Sequence, residues 1–147
     1  PAGGDREQAR DIYSGKCDLA LGNTYYVALM LKNPEQKAWA ESIKVLFPNA
    51  QDRGSHVNIS GMALAKYAPN KENAIKLMEF LASPEAQGIY AQVNNEYPIS
   101  QEVAPSEVVQ SWGKLNPDKL PLDEIAKLRK KASELVDKVN FDAGPSS

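Results

Sequence analysis

Cys17-Asp18-Leu19-Ala20-Leu21-Gly22-Asn23-Thr24-Tyr25-Tyr26 is the stretch on which the reading of this chain turns. Its apolar run stops at Gly22, and helix formers resume in Val27-Ala28-Leu29-Met30-Leu31-Lys32. Asp18–Leu21 is therefore predicted as a short, buried parallel strand, followed by a helix that Asn23 or Thr24 caps. Tyr25 and Tyr26 then fall in the first turn of that helix, past the carboxyl end of the strand, where ligand groups gather in open α/β sheets. The positive end of the helix dipole favours negative charge there and helps a phenol surrender its proton to a metal. Two neighbouring phenolate oxygens are hard donors, better matched to a highly charged cation such as Fe(III) than to thiophilic metals. The plainer reading makes one ring a core residue and the other a rim residue with its hydroxyl in water. Spacing alone leaves both open.

Outward from this stretch the composition is that of ordinary globular material, with 42% hydrophobic and 24% charged residues in a chain of 147. A net charge of −2 gives no footprint for a polyanion, which argues against nucleic acid as a partner. The apolar runs fall well short of the ~20 residues a membrane span needs. Cys17 is the only cysteine, so no internal disulfide or cysteine-rich zinc site can form. It reads as a small buried strand residue, or as one half of a disulfide with a cysteine outside this chain. His56 is the only histidine, and neither a catalytic triad nor a His-rich zinc site can be assembled around it from these residues. Phosphate-binding glycine loops, a nucleophile elbow and internal repeats are likewise missing from the pattern.

Asp5 is expected to cap a first helix running to about Tyr13, with Ala9, Ile12 and Tyr13 on its apolar face and Ser14-Gly15 stopping it. Asn33-Pro34 opens a helix with Pro34 at its first position and Ala38, Trp39 and Ile43 on one face. Short strands are expected at Val45–Phe47, Val57–Ile59 and Gly61–Ala65, with a polar loop over 49–55. Asn70 caps an amphipathic helix in which Ala74, Ile75, Leu77, Met78 and Leu81 recur at helical spacing. Ser83-Pro84 restarts the chain as a cap and a first-turn proline, and that helix reaches about Val93. Asn94-Asn95 turns it into an extended Tyr97-Pro98-Ile99. Prolines at 105, 117 and 121 break the pattern between Val103 and Leu120. A final helix runs from about Leu122 to Val139, with Lys127, Arg129, Lys130 and Lys131 on a solvated face. Residues 144–147 read as a tail. Tyr13, Tyr67 and Tyr90 fall at positions suited to packing. Tyr97 is suited to a hinge or core role or to a functional one, and His56 reads as a loop-to-strand structural residue.

Several of these segments, in order, resemble the periplasmic ferric-iron-binding proteins of ABC transporters, the bacterial transferrins. The resemblance is carried by Gly4-Asp5-Arg6-Glu7-Gln8 and by Gly15-Lys16 through Tyr25-Tyr26. It continues in Phe47-Pro48-Asn49, in Gly54-Ser55-His56-Val57-Asn58-Ile59-Ser60-Gly61 and in Ala68-Pro69-Asn70-Lys71. Ser83-Pro84-Glu85-Ala86-Gln87 and Asn94-Asn95-Glu96-Tyr97-Pro98 complete it. The fold this implies is α/β, of the type II periplasmic binding class, represented by the C-terminal part of a two-lobed protein. The N-terminal lobe and further metal ligands would lie outside this chain, which begins at Pro1 without a start methionine or a signal sequence.

The resemblance also divides the chain. Residues 1–50 become part of the C-terminal lobe with the tyrosine pair, 51–100 a segment crossing to and from the other lobe, 101–142 a C-terminal helical region and 143–147 a tail. Tyr25 and Tyr26 match the family's iron-ligating pair. Asn23 matches a residue that hydrogen-bonds a synergistic anion in the branch that uses phosphate, although the rest of the chain leans toward the branch that dispenses with it. The implied role is capture of Fe(III), with or without a synergistic anion, and delivery to an ABC permease in the inner membrane, with no reaction catalysed. A related carrier for an oxyanion or polyamine is the alternative within the fold. An enzyme or a non-catalytic interaction module on a similar scaffold is the alternative outside it, disfavoured by the lack of paired acid/base groups.

Overall fold

Gly4, and not Asp5, stands at the N-cap of the first helix, α1 (Asp5–Tyr13), and the Glu7 carboxylate accepts the Gly4 N–H at 3.0 Å. Asp5 is the first helical residue, and its carboxylate is used elsewhere, on Asn23. The computed structural model describes residues 3–141. These divide into two compact units, residues 3–56 with 115–141, and Val57–Lys114.

In the first unit, α1 is followed by α2 (Thr24–Leu31) and α3 (Lys37–Glu41), and the three helices pack on one another. Ala9, Met30 and Ala40 form the buried centre, with Val27, Leu31, Trp39 and Ile43 packed around it. Met30 is 1% exposed, and burying a side chain of that size contributes about 1.5–3 kcal/mol. Helix α3 starts three residues later than Pro34 would open it. Asn33 explains the delay: its side-chain oxygen accepts the Glu35 N–H at 2.9 Å and its carbonyl accepts those of Gln36 and Lys37, forming a turn first. The later start turns Ala40 inward and leaves Ala38 exposed.

The expected strands at Asp18–Leu21, Val45–Phe47, Val57–Ile59 and Gly61–Ala65 are not strands among the described residues. The β pairing found there is a parallel bridge between Ser55 and Pro117. A strand is completed by a neighbour that takes up its N–H and C=O groups. Without such a neighbour, Leu19 and Leu21 are 79% and 80% exposed, and Cys17 is half-buried and off any strand. The Ser55 bridge ties the loop over 49–55 to residues 116–118. Ser55 N–H donates to the Asn116 carbonyl and Asp118 N–H to the Ser55 carbonyl, both at 2.8 Å. The Ser55 hydroxyl donates to the Pro48 carbonyl, and Asn116 Nδ2 to that of Ala50. Beyond it, the expected single helix from Leu122 is interrupted at Leu128, giving α7 (Leu122–Lys127) and α8 (Arg129–Lys138), whose residues are not buried. Lys127, Arg129, Lys130 and Lys131 face solvent as expected. The anticipated tail lies outside the described residues.

The second unit contains α4 (Lys71–Ala82), α5 (Pro84–Val93) and α6 (Glu107–Ser111). Ser83 caps α5 by accepting the Ala86 N–H, with Pro84 in the first turn. Gln87 joins the pieces: it donates to the Leu81 carbonyl at 2.8 Å and accepts the Ile99 N–H at 2.9 Å. Ser106 caps α6 by accepting the Val109 N–H and donates its own proton to Asn95 Oδ1 at 2.9 Å, within a buried group. Helix α4 packs on α5, but Ile75 and Leu77 of its predicted apolar face are exposed. Tyr13 and Tyr67 are also exposed, so neither is a packing residue in these units.

Candidate metal centre

Successive residues of a helix point about 100° apart, so adjacent aromatic rings tend to diverge. In the first turn of α2 they do not. The Tyr25 and Tyr26 rings lie with centroids 4.6 Å apart and planes tilted by 40°, inside the range of a favourable aromatic pair. Both residues are half-buried, while Ala28 and Met30 on the following turn are fully buried and anchor the helix. The structure thus brings the two predicted ligand residues together at the dipole-positive end of a helix packed on a core.

Asn23 is the N-cap of α2, and its side chain makes no capping bond. Its backbone N–H donates to Asp5 Oδ1 at 2.5 Å, and its Nδ2 approaches the same oxygen at 3.3 Å. Asp5 reaches across from the start of α1 to do this. Gly22 allows the approach, since a Cβ at that position would stand 3.1 Å from Asp5 Oδ1. Arg6, the next residue of α1, places its guanidinium 5.7 Å from the centre of the Tyr26 ring, a cation–π distance. Two consecutive residues of α1 therefore deliver a carboxylate and a guanidinium to the head of α2. Sequence reasoning missed both. The Asp-Arg pair was visible within Gly4–Gln8, but local rules assign Asp5 to its own helix and have no means of seeing a contact 18 residues away.

The other candidates lie elsewhere. His56 is exposed beside the Ser55 bridge. Tyr97 belongs to the second unit, and its buried hydroxyl has no hydrogen-bond partner among the described residues. Burial raises its pKa above the ordinary 10.0, which favours the neutral phenol over the phenolate a ligand would supply. Among the described residues no cluster of three or more His, Cys, Asp and Glu side chains is arranged to hold a metal, and no helix is long and apolar enough to cross a membrane.

Residues 12–117 match the family of bacterial extracellular solute-binding proteins, and the chain belongs to that family. It is similar to iron uptake protein A1 of Synechocystis, 41% identical over 143 residues that cover 96% of this chain and 40% of that protein. Among solved structures it resembles the apo ferric ion-binding protein A of Pasteurella haemolytica, with a TM-score of 0.89 and 46% identity over 97% of this chain and 44% of that one. It resembles equally a Trichodesmium protein solved with iron and citrate ligands, with a TM-score of 0.90 and 40% identity over 96% and 45% of the respective chains. The chain spans less than half the length of these relatives. Its fold is accordingly that of part of a type II periplasmic binding protein. The backbone path carries this likeness even where the ladder that would define strands is not formed.

Proposed function

We propose that this chain belongs to a periplasmic protein that captures Fe(III) as cargo and delivers it to an ABC importer through a permease in the inner membrane. The observation that carries the reading is the paired placement of Tyr25 and Tyr26 at the head of α2, their rings 4.6 Å apart. Similarity to proteins named for iron uptake and ferric-ion binding supports it. In this reading Tyr25 and Tyr26 ligate the metal as phenolates, and Asn23 is the anion-facing residue beside them. Two phenolates leave much of an octahedral sphere to oxygen donors from the rest of the protein. The ion is held and released, and no reaction is catalysed. That Val57–Lys114 forms a compact unit supports reading the 51–100 stretch as a distinct part of a two-lobed protein.

Titrating the full-length protein with a ferric chelate tests the proposal. The expected result is a visible phenolate-to-iron charge-transfer band that the Tyr25→Phe, Tyr26→Phe double variant loses together with most of its affinity. Iron binding unchanged in the double variant would refute the ligand assignment. Tight binding of phosphate or spermidine, with no ferric band, would move the protein to the alternative branch of the fold.

A further inference from the structure

We propose that Arg6 is a positioning residue of this site: by packing its guanidinium over the Tyr26 ring, it holds that side chain in its ligand orientation before the metal arrives. The inference rests on the reading of Tyr25 and Tyr26 as ferric ligands. A phenol on the flank of a helix can swing among staggered χ1 wells, and a ligand that must be ordered at the moment of binding costs affinity. Tyr26 is half-buried, and the Arg6 guanidinium, 5.7 Å from the centre of its ring, ties it to a second helix.

The shared core sets this register. Ala9 lies three residues after Arg6 on α1, and Met30 four residues after Tyr26 on α2, spacings that place each pair on one helix face. Ala9 and Met30 are 4% and 1% exposed and belong to the same buried centre. Their packing brings together the preceding turn of each helix, and with it Arg6 and Tyr26. Arg6 is also the charge that α1 does not use for itself. Arg10 pairs with Asp11, Glu7 accepts the Gly4 N–H and Asp5 the Asn23 N–H, whereas Arg6 enters no ion pair among the described residues. A swing of Tyr26 would give up both the guanidinium and the Tyr25 ring, whose centroid is 4.6 Å away. The guanidinium also repels an incoming cation. That repulsion acts whichever tyrosine receives the metal, while holding the ring acts through Tyr26 alone.

A double-mutant cycle in the full-length protein tests the proposal. Arg6→Gln is made in wild type, in Tyr25→Phe and in Tyr26→Phe, and ferric affinity is read by competition with nitrilotriacetate and by the charge-transfer band at one fixed ionic strength. Where Tyr26 is present, in wild type and Tyr25→Phe, Arg6→Gln should lower affinity by roughly two- to fivefold, the factor that loss of ~0.5–1 kcal/mol of cation–π contact gives. In Tyr26→Phe, where the ring remains but no longer ligates, Arg6→Gln should change nothing. In the iron-free protein, Arg6→Gln should move the ring carbon resonances of Tyr26 and leave those of Tyr13 in place. No loss of affinity in wild type, an equal loss in the Tyr26→Phe background, or unmoved Tyr26 resonances would each overturn the positioning role while leaving the ferric reading intact. A wild type without a ferric band would overturn the ferric reading itself, and this inference with it.

Discussion

Gln87 offers the sharpest test of how the second unit is held together. The residue is 8% exposed, and its side chain joins the end of α4 to the chain after Tyr97 through two hydrogen bonds of 2.8 and 2.9 Å. Gln87→Leu fills nearly the same space, so no cavity opens, but it strips the Leu81 carbonyl and the Ile99 N–H of their partner. Each bond contributes about 1 kcal/mol net, and a polar group left buried without a partner costs about 1–3 kcal/mol. Ile99 is exposed enough for water to replace part of that loss, which sets the expected destabilisation at about 2–3 kcal/mol. At about 2–4 °C per kcal/mol for a chain of this size, the melting midpoint should fall by about 4–12 °C. The assay is fluorescence-detected thermal unfolding with each tryptophan as a separate reporter, since Trp112 lies in the same unit as Gln87 and Trp39 in the other. The Trp112 transition, read in a Trp39→Phe background, should move by that amount. A Trp112 midpoint within about 2 °C of the parent would show that the two bonds do not hold the segment in solution.

Gly54→Ala should destabilise the first unit by about 2 kcal/mol or more in chemical unfolding. Gly54 has φ +100, and a Cβ there would meet the Asn116 carbonyl oxygen at 2.7 Å and Asp118 N at 2.8 Å, so the Ser55 bridge must open. Met30→Ala should cost about 2–5 kcal/mol in the same assay, because Met30 fills the centre shared by α1, α2 and α3. Tyr97 makes stability depend on alkaline pH. The unfolded phenol ionises near 10.0 while the folded one, raised by burial, keeps its proton, so the unfolded state binds fewer protons and stability falls as pH rises above 10.0. Below that value both are protonated and the residue adds no slope. Tyr97→Phe should flatten the alkaline fall in melting temperature and, by removing an unpaired buried hydroxyl, leave neutral-pH stability equal or higher; an unchanged alkaline slope would refute the assignment.

Much of the local structure was legible because it depends on neighbours in sequence. Ser83-Pro84 is the start of α5 because serine suits the N-cap and proline the first turn of a helix-forming run, and the observed cap on Ala86 N–H follows that preference. The tyrosine helix begins at Thr24 behind Asn23, as the change from apolar run to helix formers predicts. The same rules erred where a competing short-range bond was available. Asn33 made a turn before α3, and Leu128 took up a conformation that ended α7 and left α8 to start at the next residue. They erred more widely over the strands. Apolar runs such as Leu19–Leu21 identify segments that want a sheet, but a sheet is an agreement between segments, and a ladder needs its second edge.

For the site, the sequence by itself determined the residue types: two adjacent phenols, hard donors at the head of a helix, in a chain whose motifs place it among solute-binding proteins. Tertiary structure decided their surroundings. Only the packing of α1 against α2 brings the Asp5 carboxylate to the Asn23 N–H and the Arg6 guanidinium over the Tyr26 ring. A helix start reads its first turn from a handful of local dihedral and capping preferences, all contained in a few successive residues. Which charge faces that turn depends on how two helices dock, and docking is set by the shape of a shared core at Ala9, Met30 and Ala40, residues spread across 32 positions that no local window compares.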